Sequence, residues 1–312
     1  MGKRAVITGG LGFIGLNLIK RLRSRGYTIK VLDNLSNNYF DFGRYVRENE
    51  IFKIDLACKD DVGRAMADTD IVFHLAANSD ISKSAKSTFI DVQETILNTY
   101  NVLEGMRENG IQTICYTSGS GVYGNLGEYA AHECYGPLQP VSLYGATKLS
   151  AEAIISSFSD LFGIKACIFR FANVVGPFQT HGVSIDFVNR LRDNSAKLDV
   201  LGDGFQSKSY VHVEDVVDAI LMVLERPGRL EVFNVSSGDY ISVREIAELI
   251  IDRMKLKNTQ ILYQESKIGW PGDVPVIRFD DSKIRALGWK NRFTSKAAIL
   301  DSVDFQLNNY VK

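Results

Sequence analysis

The chain has 312 residues, with 36 Lys and Arg against 37 Asp and Glu, which gives a formal net charge of −1. This balance argues against a polybasic binder of nucleic acid or membranes and favours a small-molecule partner. Hydrophobic residues make up 45% of the chain and prolines number only 6, so the composition excludes a disordered or collagen-like protein. The chain is long enough for one large domain or two smaller ones.

No apolar stretch approaches the roughly 20 residues of a membrane helix. The N-terminal sequence MGKRAVITGG lacks the apolar segment of a secretory signal, so we expect a cytoplasmic protein. The widely spaced cysteines Cys58, Cys115, Cys134 and Cys167 favour reduced, mostly buried thiols. His132 lies close to Cys134, but a zinc site needs four ligands, and we expect no metal site.

The first 170 residues alternate short β-rich apolar runs with segments of helical period, which predicts a parallel sheet with helices on both faces. Between the first two strands, Ile14, Leu18 and Leu22 fall on one helical face of a segment that ends at Gly26. This arrangement predicts a βαβ unit. The predicted strands are Arg4–Thr8, Thr28–Leu32, Ile51–Ile54, Ile71–Leu75, Thr113–Thr117 and Lys165–Phe169.

Shorter elements follow Phe171 and predict a second, smaller unit. Ser242 and Glu245 have the spacing of a capping box, for a helix that ends at Arg253. We therefore expect an α/β fold with a Rossmann-type, doubly wound parallel sheet in residues 1–172 and a smaller α/β substrate domain in residues 173–312, with a discontinuous boundary. Other elements predicted here are helices at Ile185–Arg192 and Val213–Leu224, a strand at Val232–Val235 and a last helix opened by Thr294.

The motif TGGLGFIG directly follows the first strand and opens the first helix. Gly9 permits a tight turn, Gly12 lets the backbone approach a pyrophosphate, and Gly15 packs the helix against the sheet. The second strand ends in Asp33, 18 residues after Gly15, where a carboxylate binds the ribose diol of a dinucleotide. Because Asp33 repels a 2′-phosphate and no arginine follows at once, the motif predicts NAD rather than NADP.

The motif YGATK places Tyr144 and Lys148 on one face of a helix. A phenol has a pKa of about 10, and a neighbouring ammonium, with the positive nicotinamide, would lower it toward a value useful in acid–base catalysis. On its own this spacing is more often a solvated pair. Together with the dinucleotide motif it favours a catalytic pair.

Taken in order, the motifs TGGLGFIG, LDNL, HLAA, VYG, YGATK and RFANVVGP resemble those of the extended short-chain dehydrogenases that act on nucleotide sugars. The later segments THGV, LGDGFQSKSYVHVED and GWPGDVP are similar to compact UDP-galactose 4-epimerases. The resemblance implies NAD-dependent 4-epimerisation of a UDP-hexose of the UDP-glucose or UDP-galactose type. In that reaction a hydride leaves C4 of the sugar and returns to its opposite face.

The resemblance also implies roles for individual residues. The catalytic residues would be Tyr144, Lys148 and Ser120, and Asn173 would bind the diphosphate of the sugar nucleotide. The substrate would be held by Ser118, Ser120, Tyr144, Asn173, Leu201, Lys208 and Asp273. The cofactor would be held by Gly9, Gly12, Phe13, Ile14, Gly15, Asp33, Asn34, Leu35, Asp55, Leu56, Leu75, Ala76, Ala77, Thr95, Thr117, Ser118, Tyr144, Lys148 and Phe171.

The chain departs from the pattern of this family at several of these positions. Gly119 stands where the family has a Ser or Thr that relays the proton to the tyrosine, and Ser120 points to the other face if the segment is extended. A bend at the flanking glycines would redirect Ser120. Glu94 and Thr95 stand where the family has two Asn, one of which contacts the cofactor, and Thr95 keeps a shorter hydrogen-bonding side chain. Lys208 and Trp270 replace phosphate-binding arginines, which weakens the inference about the phosphates.

The residues directly before VYG distinguish between the possible activities of this family. Related 4,6-dehydratases carry an Asp–Glu pair directly before VYG, where this chain has Ser120 and Gly121, so dehydratase and decarboxylase activities are disfavoured. Two alternatives to the epimerase stay open. One is a catalytically weak or inactive NAD- and nucleotide-sugar-binding protein, and the other is a reductase or dehydratase of the same fold.

We also expect a homodimer, with no nucleic acid or membrane partner. The contact would form between the helices of residues 91–108 and 144–162, because these carry more apolar surface than one sheet-facing stripe requires. The alternative is that all of this surface is buried within the monomer. The apolar residues concerned are Ile96, Val102, Leu103, Ile154, Ile155 and Phe158.

Overall fold

The computed structural model describes residues 2–36, 42–78, 87–225, 228–270 and 272–309. The strands are β1 (Arg4–Thr8), β2 (Thr28–Asp33), β3 (Ile51–Lys53), β4 (Ile71–His74), β5 (Thr113–Gly119), β6 (Ala130–Ala131), β7 (Lys165–Phe171), β8 (Asn173–Val175), β9 (Lys197–Val200), β10 (Ser207–Lys208), β11 (Tyr210–His212), β12 (Leu230–Val235), β13 (Ile241–Ser242), β14 (Gln260–Tyr263) and β15 (Arg278–Phe279).

The helices follow the same chain order. They are α1 (Phe13–Ser24), α2 (Lys59–Ala65), α3, α4 (Leu143–Phe162), α5 (Val183–Asp193), α6 (Val213–Val223), α7 (Val243–Arg253), α8 (Ser282–Ala286) and α9 (Ser295–Asn309). Helix α3 is continuous but not uniform. It consists of Phe89–Asp91, a π-helical stretch at Val92–Leu97, and Asn98–Glu108.

Seven strands form the main sheet, in the order β12-β7-β5-β4-β1-β2-β3. The pairs from β3 through β2, β1 and β4 to β5 are all parallel. From β1 the chain continues to β2 on one side and later to β4 on the other, so the strand order reverses between β1 and β4. The carboxyl ends of strands at such a reversal are where doubly wound sheets bind ligands. The predicted Rossmann-type fold is confirmed.

The predicted strands of this sheet all form, with small differences at their ends. Strands β5 and β7 run to Gly119 and Phe171, two residues further than predicted in each case. Strand β4 ends at His74, one residue earlier than predicted. The extension of β5 matters for function because it brings Ser118 and Gly119 into regular strand conformation.

The chain divides into two compact units, neither of which is one continuous stretch. The first unit comprises Met1–Val122, Leu143–Arg170 and Ala219–Phe233, and the second comprises Tyr123–Ser142, Phe171–Asp218 and Asn234–Lys312. Residues 219–233 were expected in the smaller domain, and this placement is wrong. Strand β12 is instead the edge strand beside β7, where the rings of Phe233 and Phe169 stack with centroids 6.1 Å apart.

Each unit has an apolar core of its own. In the first unit, α2, α3 and α4 cover one face of the main sheet, and the buried side chains include Val72, Met106 and Ile155. In the second unit, α5, α7 and α9 surround a core that includes Leu198 and Ile246, next to the parallel pairs β8–β11 and β9–β14.

Two of the four cysteines are buried, Cys115 and Cys167, while Cys58 and Cys134 are exposed. The expectation of mostly buried thiols therefore holds for only half of them. Within the described ranges, no group of three or more His, Cys, Asp or Glu side chains could hold a metal ion. None of the helices in this part of the chain combines the length and apolarity needed to cross a membrane.

The capping box at the start of α7 is confirmed. The Ser242 hydroxyl accepts a hydrogen bond from the Glu245 N–H at 3.2 Å, and the Glu245 carboxylate accepts one from the Ser242 N–H at 2.8 Å. These bonds satisfy two backbone groups near the start of the helix, where intrahelical partners are lacking.

We predict that Ser242→Ala lowers the free energy of unfolding by about 1 kcal/mol, because α7 loses its cap. Urea unfolding measures the change. Ser157→Ala is the matched control, because this exposed hydroxyl bonds only the Ala153 carbonyl within α4, where alanine is a better helix former. An equal loss of stability in both variants would contradict the prediction.

Candidate active site

The glycine turn after β1 is held by close backbone contacts. Gly9 has a φ of +64°, and a Cβ at this position would lie 2.8 Å from the Cα of Ala76, just beyond β4. A Cβ at Gly15 would lie 2.5 Å from the carbonyl oxygen of Gly10. Only glycine fits both positions without movement of the backbone. The turn is thereby packed against the end of β4 and the first turn of α1.

Gly12 differs, because it leaves space on the outer side of the turn. A Cβ there would meet only the Gly9 carbonyl oxygen, at 3.2 Å. Gly12 is also the N-cap of α1, and no side chain caps this helix. The backbone N–H groups at the positive end of a helix dipole suit a pyrophosphate. The turn therefore fits the phosphates of a dinucleotide.

Asp33 lies beside this turn, at the end of β2. Its carboxylate accepts hydrogen bonds from the backbone N–H of Leu11 at 3.0 Å and of Leu35 at 2.9 Å. Burial raises the pKa of Asp33, and these two hydrogen bonds oppose the increase. Because each carboxylate oxygen has more than one lone pair, Asp33 keeps acceptor capacity for the hydroxyls of a ribose.

A buried histidine joins the glycine turn to helix α3. His74 Nδ1 lies 2.7 Å from the Thr8 hydroxyl, and Nε2 lies 2.9 Å from the Thr99 hydroxyl. The Thr99 hydroxyl donates to the Thr95 carbonyl at 2.5 Å, so it accepts from Nε2–H. Burial, and then the charge of Lys148, lower the pKa of His74 to about 3, so the ring is neutral. This network fixes the ends of β1 and β4.

Tyr144 and Lys148 lie on successive turns of α4. Lys148 is buried, donates to the Thr117 carbonyl at 2.8 Å, and lies with its Nζ 4.9 Å from the centre of the Tyr116 ring. The same Nζ is 5.7 Å from the centre of the Tyr144 ring. Burial lowers the pKa of Lys148 to about 8. The expected catalytic pair is therefore assembled against the carboxyl end of β5.

The pKa of Tyr144 does not follow the expected direction in the protein alone. Burial, and then the negative charge of Asp91, raise it to about 12. The expectation that the Lys148 ammonium lowers this pKa is not met, because Lys148 points its charge to the Thr117 carbonyl and the Tyr116 ring. Any decrease must come from charge brought by a bound cofactor.

The two serines near the end of β5 have different environments. The Ser118 hydroxyl donates to Glu152 at 2.5 Å, and Glu152 forms a buried ion pair with Arg170 at 2.7 Å. Glu152 lies two helical turns beyond Tyr144, so the Ser118 side chain is engaged away from the tyrosine. This geometry does not favour Ser118 as a side-chain ligand of cofactor or substrate.

Ser120 lies in a bend, as the flanking glycines permit. Strand β5 ends at Gly119, and residues 120–123 form a 3₁₀ turn, so the segment does not stay extended. A Cβ at Gly121 would lie 3.3 Å from the Cα of Gly145 and 3.9 Å from Cδ1 of Tyr144. The bend therefore packs against the first turn of α4, next to Tyr144.

The other expected cofactor residues of the first unit lie after its strands or in the helices that follow them. Asp55 is exposed and closes a turn by accepting from the Ala57 N–H at 3.0 Å. The Leu56 carbonyl accepts from the Asn101 side chain at 2.8 Å. Thr95 is fully buried, and its hydroxyl has no hydrogen-bond partner among the described residues. Phe13 and Ile14 open α1, Asn34 and Leu35 follow β2, and Leu75, Ala76 and Ala77 follow β4.

The expected substrate residues lie in the second unit, apart from Ser118, Ser120 and Tyr144. Lys208 and Asp273 form an ion pair at 2.6 Å, so each already has a partner of opposite charge. Asn173 is hydrogen-bonded to Tyr210, and Leu201 is exposed. Phe171 ends β7 and is buried, and Trp270 is half-buried. Pro271 of the GWPGDVP segment lies outside the described residues.

Several residues beside Tyr144 and Lys148 were missed at the sequence level. Glu152 continues the spacing of four residues from Tyr144 and Lys148, and Asp91 precedes Thr95 by the same spacing. Extending these helical faces would have found both. Tyr116 had no comparable signal, because an aromatic residue in a strand is ordinary core.

A doubly wound sheet with this glycine turn and a Tyr–Lys pair defines the class of extended short-chain dehydrogenases. The model of the "NAD dependent epimerase/dehydratase family" matches residues 5–236. A putative UDP-glucose 4-epimerase of Methanocaldococcus jannaschii is 31% identical, over 97% of this chain and 98% of that protein.

Two solved structures are similar over nearly the whole chain. The UDP-glucose 4-epimerase of Thermus thermophilus in complex with NAD has a TM-score of 0.88 at 28% identity, covering 98% of this chain and 100% of that one. The UDP-N-acetylglucosamine 4-epimerase of Methanobrevibacter ruminantium in complex with UDP-N-acetylmuramic acid has a TM-score of 0.87 at 26% identity, covering 99% of each chain. The chain belongs to the NAD-dependent epimerase/dehydratase family and is an NAD-dependent enzyme of nucleotide sugars.

We predict opposite outcomes for two glycine-to-alanine substitutions in the turn. Gly15→Ala lowers the free energy of unfolding by about 1–3 kcal/mol, because the new methyl group overlaps the Gly10 backbone. Gly12→Ala costs less stability than Gly15→Ala, because its methyl group would make a tight contact of 3.2 Å with the Gly9 carbonyl oxygen rather than an overlap, but it weakens NAD binding at least tenfold, because the methyl group stands where the pyrophosphate would bind. Urea unfolding and calorimetric titration with NAD measure the two effects. Unchanged NAD affinity in Gly12→Ala would contradict the assignment of the pyrophosphate.

Proposed function

We propose that this protein catalyses the 4-epimerisation of a UDP-hexose of the UDP-glucose or UDP-galactose type. The proposal rests mainly on one observation. The bend that packs next to Tyr144 contains Ser120 and Gly121. A dehydratase needs carboxylic acids there to move the protons at C5 and C6, and this chain has none at those two positions. The sequence similarity to 4-epimerases supports the same activity.

The first unit supplies the residues that would hold NAD. The N-terminus of α1 and Gly12 would bind the pyrophosphate, and Asp33 the adenosine ribose. The Thr95 hydroxyl is buried and has no hydrogen-bond partner among the described residues. It would form a hydrogen bond with the cofactor where relatives use Asn. Bound NAD supplies the acceptor and donor of the C4 hydride and, when oxidised, a positive charge.

Tyr144 would carry the proton of the sugar. Its phenolate oxygen would accept the proton of the C4 hydroxyl while the C4 hydride leaves the sugar, which together give a 4-keto sugar, and the phenol would return the proton to the C4 oxygen when the hydride comes back to the opposite face. Lys148 keeps its charge beside the Tyr144 ring, with Nζ 5.7 Å from the ring centre, but it does not lower the pKa of Tyr144 in the protein alone, so the phenolate would depend on the positive charge of the oxidised cofactor. With a pKa of about 12 in the protein alone, Tyr144 is a phenol before ligands bind, which keeps its proton in place.

The second unit would hold the nucleotide. Asn173 would bind the diphosphate through its amide, and the exposed Leu201 would contact the uracil. Lys208 would contribute a positive charge, but its ion pair with Asp273 reduces that charge at the phosphates. We therefore expect the affinity for the diphosphate to rest more on neutral donors than on ionic contacts.

One observation favours a second candidate function. At Gly119 no side chain can relay a proton between the C4 hydroxyl and Tyr144, and the neighbouring Ser118 hydroxyl is engaged by Glu152. A chain in which Ser120 cannot take over this step would be a catalytically weak binder of NAD and nucleotide sugars. Variants at positions 119 and 120 separate the two functions.

We predict that Tyr144→Phe lowers kcat on UDP-galactose by at least about 100-fold, because it removes the group that transfers the proton. Ser120→Ala has a similar effect if this hydroxyl relays the proton. In that case Gly119→Ser leaves the rate unchanged. Gly119 ends strand β5, and extended backbone is a conformation that serine adopts readily.

A coupled assay of UDP-glucose formation measures these rates, with NAD affinity as the control for folding. Full activity of Tyr144→Phe would refute the mechanism. Absence of turnover in the wild type and in Gly119→Ser, on every UDP-hexose tested, would establish the binding protein. Net consumption of reduced cofactor would indicate a reductase.

We also propose a homodimer formed by α3 and α4. Of the residues first expected in this contact, Ile96, Ile154 and Phe158 are half-buried and stay part of the proposal. Val102, Leu103 and Ile155 are buried in the core of the first unit, so the expectation that they form the contact is wrong. The apolar side chains exposed on these helices are different ones. They are Phe89 (58%), Leu97 (44%), Tyr100 (43%), Leu143 (41%), Leu161 (72%) and Phe162 (44%). The cytoplasmic location expected from the sequence stays a prediction.

We predict that Tyr100→Glu converts the dimer to a monomer at micromolar concentration, because it places a charge on this apolar surface, beside the Phe158 ring. Light scattering after gel filtration measures the mass. Tyr129→Glu is the control, since Tyr129 is similarly exposed, at 50%, on the second unit. A wild-type protein that is monomeric in this assay would overturn the proposal.

A further inference from the structure

Asp91 is a buried carboxylate that the proposed mechanism does not use. Its side chain is fully buried, and Oδ1 accepts a hydrogen bond from the Asn78 side chain at 2.8 Å. Oδ2 is also buried, and among the described residues it has no hydrogen-bond partner. A carboxylate with an unsatisfied buried oxygen is costly unless a positive charge nearby compensates it.

The position of Asp91 in α3 brings it to the catalytic pair. Both Phe89–Asp91 and the π-helical stretch that follows pack against α4. Thr95, four residues further along, and Asn98, seven residues further along, also carry buried side-chain oxygens without partners in the described chain. All three of these side chains are buried. The negative charge of Asp91 acts on both Tyr144 and Lys148.

The buried charges around α4 balance as two pairs. Glu152 and Arg170 form a direct ion pair at 2.7 Å, with side chains that are only 7% and 6% exposed. Lys148 donates instead to the neutral carbonyl of Thr117. Among the described residues, the ammonium of Lys148 and the carboxylate of Asp91 are then the buried charges of opposite sign that lack an ion-pair partner at this site. Removing one member of a buried set leaves the other uncompensated.

We propose that Asp91 is a positioning residue that keeps Lys148 charged, as the buried counter-charge of the Tyr144–Lys148 pair. This inference rests on the proposed function for the part that the pair plays in catalysis. Asp91 acts through Lys148 and Tyr144 rather than on the substrate.

Glu152 also raises the pKa of Lys148, but it shares its charge with Arg170, whereas the charge of Asp91 has no such cation among the described residues. Burial keeps His74 neutral, with a pKa of about 3, and raises the pKa of Tyr116 well above its ordinary value. Burial lowers the pKa of Lys148 to about 8, against the opposing effects of Glu152 and Asp91. Without Asp91 this pKa falls further, and Lys148 loses its proton at lower pH.

Asp91→Asn tests the proposal, because the amide keeps the size of the side chain and an oxygen for Asn78. The negative charge of Asp91 raises the pKa of both Tyr144 and Lys148. Both limbs of the pH profile of kcat/KM therefore move to lower pH in the variant, by on the order of one unit. A role in folding alone would lower the activity at every pH without moving the profile, and that result would overturn the proposal.

A second measurement does not depend on turnover. Unfolded lysine has a pKa of about 10.4, so between pH 8 and that value the unfolded chain binds more protons at Lys148 than the folded protein does. The free energy of unfolding therefore gains a contribution that rises with pH in this window. In Asp91→Asn the rise begins at lower pH. If the free energy of unfolding began to rise at the same pH in the wild type and in Asp91→Asn, the proposal would be refuted. This test holds even if the enzyme proves inactive on every UDP-hexose.

Glu104→Gln is the matched control on the same helix. Glu104 is also largely buried, at 9% exposed, but it is paired with Lys59 and Arg107. These partners lower the pKa of Glu104 to about 2, so its own titration lies far below the tested window. This variant loses stability while the pH profile and the onset of the rise stay as in the wild type. A shift equal to that of Asp91→Asn would overturn the assignment to Asp91.

Discussion

The burial of the Lys148 ammonium is the constraint on which the rest of this site depends. A buried lysine tends to lose its proton, and burial already lowers the pKa of Lys148 to about 8. The surrounding structure opposes this tendency with the Thr117 carbonyl, the face of the Tyr116 ring and the negative charges of Glu152 and Asp91. Each of these groups comes from an element that packs against α4 or belongs to it.

The same burial explains why Tyr144 is a phenol in the protein alone. A site that excludes water raises the pKa of a phenol, and a positive charge from the oxidised cofactor opposes the increase. In the proposed mechanism, proton transfer by Tyr144 would therefore depend on the presence of the cofactor. The neutral His74 contributes no charge to this balance, because both its ring nitrogens are taken up by Thr8 and Thr99. Its part is to fix the strand ends that carry the glycine turn.

The local elements were largely predictable because they depend on neighbouring residues. The strands around the glycine turn, the helix it opens and the capping box at Ser242 all follow from short-range spacing of apolar, glycine and capping residues. The family also followed from the order of motifs along the chain. In contrast, β12 was placed in the wrong unit, since its position beside β7 depends on packing between residues far apart in the chain.

The amino-acid sequence by itself determined the sheet class, the dinucleotide turn, the preference for NAD and the Tyr144–Lys148 pair, because each is encoded within a short segment. Only the tertiary structure decided the electrostatics of that pair. Ser118 turned out to be engaged by Glu152, Lys208 by Asp273, and Asp91 to be buried within electrostatic reach of Lys148. Charges and hydrogen bonds between distant segments depend on which side chains are brought together and how far water is excluded, and no local pattern specifies either.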